Sequence, residues 1–102
     1  MRTIAVISPT YDTFRRWARK EMLIITRSVG GNIQECTDKE GTIYVPLYLT
    51  GREAEIQKIS GMQLVDVVDL VPKRMSKWFG IKDSKTYRGL LGVAEMRIKT
   101  FS

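Results

Sequence analysis

Residues 4–17 read Ile-Ala-Val-Ile-Ser-Pro-Thr-Tyr-Asp-Thr-Phe-Arg-Arg-Trp, and the fold class follows from this stretch. Positions 3–7 are an unbroken, largely apolar run rich in β-branched residues, the pattern of a strand covered on both faces. Pro9, after Ser8, fits the first position of a helix, where its missing N–H is not needed. Tyr11, Phe14, Ala18 and Met22 then recur at helical spacing, with Trp17 on the edge of their stripe. Arg15, Arg16, Arg19 and Lys20 take the opposite side, so an amphipathic helix is expected to run to residue 22 or 25.

Strand followed by helix repeats downstream. Positions 43–49 and 64–71 are further apolar runs, the first containing Pro46, which argues for an edge position or a bulge. Between them, Thr50-Gly51-Arg52-Glu53 has the spacing of a capping box, and Ala54, Ile56 and Ile59 give a short helix that Gly61 can end. Residues 26–42 are polar and glycine-bearing, with a hairpin expected between 32–37 and 42–45. A helical turn at 75–79 and a final strand at 90–98 complete the reading. The expected architecture is α/β: one compact three-layer domain, a mainly parallel sheet with a hairpin, and a basic C-terminal extension. The domain spans residues 1–102, with an α/β body over 1–71 and a basic segment over 72–102. An unpaired edge at 43–49 is a place where a homodimer could form.

Composition narrows the chemistry. Histidine is absent, which removes Ser-His and Cys-His nucleophilic pairs, histidine acid–base catalysis and nearly every common zinc site. Cys36 is the single cysteine, so no internal disulfide forms; this fits a reducing cytoplasm, and cytoplasmic placement is expected. No stretch approaches the roughly 20 apolar residues of a membrane helix. The net charge of +6 is unevenly placed: residues 1–71 are neutral, and Lys73, Arg74, Lys77, Lys82, Lys85, Arg88, Arg97 and Lys99 supply the whole excess. A basic segment on a neutral body suggests an anionic partner, nucleic acid first; a merely solvated surface is the other reading.

The turn after the first strand sits where α/β proteins often hold phosphate, but Ser8-Pro9-Thr10 has no glycine and lacks one N–H. Neither G-x-x-x-x-G-K-[ST] nor G-x-G-x-x-G occurs in the chain, and no cofactor is expected. The stretch Val-Ile-Ser-Pro-Thr-Tyr (6–11) nevertheless resembles the strand-and-turn segment that follows the nucleotide loop in helicases and phage terminase motors. Residues 58–70, Lys-Ile-Ser-Gly-Met-Gln-Leu-Val-Asp-Val-Val-Asp-Leu, are similar to the second signature of those motors, a helix ending at glycine and then a strand with an acidic pair. The resemblance implies a degenerate P-loop NTPase domain of Rossmann-like type, in a small phage-type protein that has lost ATP hydrolysis. The phosphate loop is missing, Ser60 stands where the family often has arginine, and Leu70 follows Asp69 in place of a catalytic glutamate.

Two sets of residues remain as candidate sites. Asp66 and Asp69, three apart on a strand, face opposite ways; Asp69 is the better placed for magnesium, with Glu53 and Glu55 as further carboxylates, and a nuclease or hydrolase is the third reading. The favoured site is basic and aromatic: Lys73, Arg74, Lys77, Trp78, Lys82, Lys85, Tyr87 and Arg88, helped by Arg15, Arg16, Arg19 and Lys20. Cations meet phosphates and aromatic rings stack on bases. The expected function is a non-enzymatic binding protein acting on nucleic acid or on a nucleic-acid-handling host protein. The rival is an inhibitor or adaptor that binds one host protein through the same Trp, Tyr, Met and Arg residues.

Overall fold

The computed structural model describes residues 2–49, 53–72 and 85–101. Its elements are β1 (Thr3–Ser8), α1 (Tyr11–Lys20), β2 (Ile24–Val29), β3 (Asn32–Thr37), β4 (Ile43–Tyr48), α2 (Glu53–Ile59), β5 (Asp66–Asp69) and α3 (Lys85–Phe101). The strands form one five-stranded sheet in the order β2-β3-β4-β1-β5. β1 pairs in parallel with β4 and with β5, whereas β2–β3 and β3–β4 are antiparallel. The sheet is therefore mixed, which corrects the expectation of a mainly parallel one. The physical reason is the hairpin: residues 24–29 form a strand and do not extend α1, which adds an antiparallel arm to the parallel strands.

Side-chain alternation along β1 sends Val6 one way and Ala5 and Ile7 the other. Val6 packs with Phe14 and Ala18 of α1 and with Ile33, Cys36 and Tyr48. Ala5 and Ile7 pack with Leu47, Ile59, Leu64, Val71, Tyr87, Leu90 and Ala94, beneath α2 and α3. α1 thus covers one face and the other two helices cover the opposite face.

The C-terminal residues bring a second correction. Residues 90–98 are helical, and α3 is built into the core through Tyr87, Leu90 and Ala94, each at most 6% exposed. It is not an extension appended to a finished body. The proposed capping residues 50–52 and the helical turn at 75–79 lie outside the described residues.

Pro46 also differs from expectation, because β4 lies inside the sheet and Pro46 is fully buried. The β3–β4 ladder covers only Cys36↔Tyr44 and Thr37↔Ile43. On its other side β4 turns alternate N–H groups to β1, as Ile43 donates to Arg2 (2.8 Å) and Leu49 to Ser8 (3.1 Å). Pro46 falls in the other set, facing the gap that β3 leaves, so its missing N–H breaks no ladder bond. The next N–H on that side, Tyr48, donates to the buried Glu55 carboxylate at 3.0 Å. Lys58 closes the gap with an ion pair to Glu55 (2.7 Å) and a bond to the Pro46 carbonyl (3.4 Å).

Candidate nucleic-acid interface

α1 begins two residues later than Pro9 at the first helical position would place it, at Tyr11. Thr10 is the N-cap, its Oγ1 accepting the Thr13 N–H at 3.1 Å, and the Ser8 hydroxyl donates to the Thr10 carbonyl at 2.7 Å. Ser8 and Pro9 are buried. The turn is closed by its own side chains, so what resembles a phosphate cradle is a helix cap.

Phe14 and Ala18 anchor the helix to the sheet, and Trp17 leans on Phe14 and Tyr44 with ring centroids 5.7 Å apart in each case. With that stripe fixed, the 3.6-residue period turns Arg15, Arg16, Arg19 and Lys20 outward, and all four are exposed. Arg16 pairs with Asp12 one turn earlier (3.2 Å), and Arg15 donates to the Gly31 carbonyl in the β2–β3 turn (3.1 Å). Arg19 and Lys20 have no carboxylate partner among the described residues. Their place in the last turn also suits the negative end of the helix dipole.

One residue that sequence reasoning missed joins this surface, and another exposed cation lies on the opposite face of the sheet. Arg27 is exposed on β2, in a stretch whose polar character suggested no strand, and its pairing with Glu35 turns it away from α1. Tyr11, at the start of α1, is 38% exposed while its ring meets Tyr48 at 4.3 Å; its place in the apolar stripe pointed only to the core.

The C-terminal candidates divide differently. Lys73, Arg74, Lys77, Trp78 and Lys82 lie outside the described residues. Lys85 opens α3, and Arg88 is exposed on it. Tyr87 must be corrected: it is buried in the core, and its hydroxyl donates to Asp69 Oδ2 at 2.6 Å. Its ring cannot stack on a base. Burial, with the Asp69 carboxylate, raises its pKa.

Asp69 uses both oxygens in this architecture, Oδ2 for Tyr87 and Oδ1 for the Val71 N–H at 2.9 Å. Asp66, exposed, accepts the Val67 N–H, and Glu55 serves the Tyr48 N–H and Lys58 across the sheet. Asp66, Asp69 and Glu55 each serve different partners, and among the described residues no three metal-ligating side chains group to hold a cation. Cys36 is fully buried; desolvation, helped by the Glu35 carboxylate, pushes its thiol up to about 11. It is an inert core thiol. Among the described residues, no helix is long and apolar enough to cross a membrane.

No protein-family model, no curated protein and no solved structure matches the chain.

Proposed function

We propose that this chain is a small, non-enzymatic nucleic-acid-binding protein that grips phosphates with the outer face of α1. One observation carries the reading: Arg15, Arg16, Arg19 and Lys20 stand exposed together on a helix locked to the sheet, and two of them lack any acidic partner among the described residues. Fixed cations at a protein surface release condensed counterions when they meet phosphates, and this gives affinity without sequence specificity. Tyr11, in the first turn of the same helix, offers a partly open ring. The likeness of residues 6–11 and 58–70 to helicase and terminase motors supports the same direction, a nucleic-acid-handling protein without a phosphate loop. The basic residues of 73–88 are proposed as a second, separate contact, since Arg88 is exposed on α3, which covers the opposite face of the sheet.

Fluorescence anisotropy with labelled duplex and single-stranded oligonucleotides over a salt series tests this. Affinity should fall steeply as salt rises. Replacing Arg15, Arg16, Arg19 and Lys20 by alanine should flatten the log–log salt slope by roughly 0.9 for each phosphate no longer neutralised, up to about 3.6 in all. Absence of binding at about 50 mM salt, where phosphate binding is strong, sinks the proposal. It would leave the rival, a protein-binding adaptor or inhibitor, which draws on the apolar exposure of β2.

A further inference from the structure

β2 is the outermost strand of the sheet, and all six of its residues are exposed. Seven large apolar residues are exposed among the described residues, and four of them, Met22, Ile24, Ile25 and Val29, fall in this one stretch of chain. An unpaired edge with apolar side chains is a template for another strand. The sequence reading placed such an edge at 43–49; the fold moves it to β2.

The way β2 faces identifies its occupant. Ile25 pairs with Cys36, and Ser28 with Ile33. Cys36 and Ile33 are buried against α1, so Ile25 and Ser28 face the α1 side, because cross-strand partners share a face. Ile24 and Val29 face the other side. The register shift between Ile25 and Arg27 makes Thr26 an extra residue on β2, and the shift between Arg27 and Ser28 makes Gln34 an extra residue on β3. Thr26 bonds Glu35 at 3.2 Å and Arg27 pairs with Glu35, so Thr26 and Arg27 also face away from α1. From 24 to 29 the facing pattern is away, toward, away, away, toward, away. It is a palindrome about the 26/27 midpoint.

We infer that β2 pairs antiparallel with β2 of a second copy of this chain, across a two-fold axis perpendicular to the sheet at that midpoint. Every residue then meets a partner on its own face: Ile24 opposite Val29, Ile25 opposite Ser28, and Thr26 opposite Arg27. Charge follows the same register. Arg27 of one protomer lies beside Thr26 of its partner, and that Thr26 already touches Glu35. The arginine and glutamate of different protomers are then two strand spacings apart, roughly 10 Å between backbones, within their combined reach. A closed two-fold interface of this kind is self-complementary. It also ends the assembly, since the remaining edge, β5, is four residues long and begins and ends in aspartate. Because the axis is perpendicular to the sheet, both α1 helices fall on the same side of the joined sheet.

The inference is tested on the protein alone, so it stands or falls separately from nucleic-acid binding. Sedimentation velocity over a concentration series should show the full-length chain reaching twice its 11.7 kDa mass. Ile24→Lys with Val29→Lys, both at solvent-exposed positions, should abolish the dimer while leaving the circular dichroism spectrum unchanged. Arg27→Glu and Glu35→Arg, as two separate proteins, should each lose the dimer through like charges across the axis. Mixed together they should recover it, as a heterodimer seen by native mass spectrometry, because each then faces an opposite charge although neither chain has changed internally. A wild-type chain that stays monomeric throughout, leaving β2 to a strand of another protein, overturns the inference. So does a dimer that survives Ile24→Lys/Val29→Lys, or two monomeric charge variants that fail to pair on mixing.

Discussion

Met22 ends α1 with a φ of 58°, in the left-handed region where a side chain is strained. Around it the Leu23 N–H reaches the Ala18 carbonyl (2.9 Å) and the Met22 N–H reaches Arg19 (3.1 Å). This is the bond pattern of a Schellman cap, a position normally given to glycine. The Met22 side chain is 74% exposed and contributes little packing. Met22→Gly should therefore raise stability by about 1 kcal/mol in denaturant titration; a loss of stability would mean that the strain is offset elsewhere. The same residue explains a failure of sequence reading. Met22, Leu23, Ile24 and Ile25 continue α1's apolar character, and no glycine or proline announces the stop. Tyr87 shows the opposite case: its neighbours are basic, but Leu90 and Ala94 follow at helical spacing, and that phase puts it in the core.

At the level of elements, the exposed flank of β4 depends on α2. Glu55 accepts the Tyr48 N–H and pairs with Lys58, and the Lys58 ammonium also lies 5.1 Å from the Tyr48 ring centroid. Both side chains are largely buried, at 8% exposure for Glu55 and 17% for Lys58. Removing one member of a buried pair leaves the other uncompensated, so Glu55→Ala should cost about 3 kcal/mol in chemical denaturation. Glu55→Gln keeps an acceptor for Tyr48 and should lose less; equal losses would place the effect in packing and not in the charge. The succession of β1 and the first helix was legible in residues 4–17, because an unbroken apolar run rich in β-branched residues and a 3.6-residue stripe have different periods. The short helix before β5 was legible from Ile56, Ile59 and Gly61. The β2–β3 arm was not: its side chains are exposed on both faces of β2, so no burial alternation was written into residues 24–29. α3 was read as a strand because Leu90, Leu91 and Val93 form a short apolar run, and a run that short does not separate the two periods. Of the candidate site, the α1 cations were legible from helical phase alone, whereas the partial exposure of Tyr11 against Tyr48 needed the fold.

For the molecule as a whole, β1 is the organising strand, with a parallel neighbour on each side. Thr3 is completed by Ile43, and Ile4 by both Tyr44 and Asp66. The β2–β3 hairpin and the β3–β4 turn are local by comparison. Asp38 builds that turn, accepting the N–H groups of Glu40 and Thr42 at 2.9 Å each and the Tyr44 hydroxyl at 3.2 Å. Partial desolvation works to raise its pKa, and these bonds outweigh it and lower it. A chain ended after Gly61 should therefore lack cooperative unfolding, since β5, Tyr87, Leu90 and Ala94 are all missing from one core; a sharp transition in that fragment would show that β1 needs only β4. The position of β1 also sets the order of events during synthesis. The first strand of this sheet in chain order is the last to gain both neighbours: β4 follows by Tyr48, and the other edge waits until Asp69 has emerged. Completion of the sheet should thus come late in synthesis, with the β5 side of β1 open to mispairing until then.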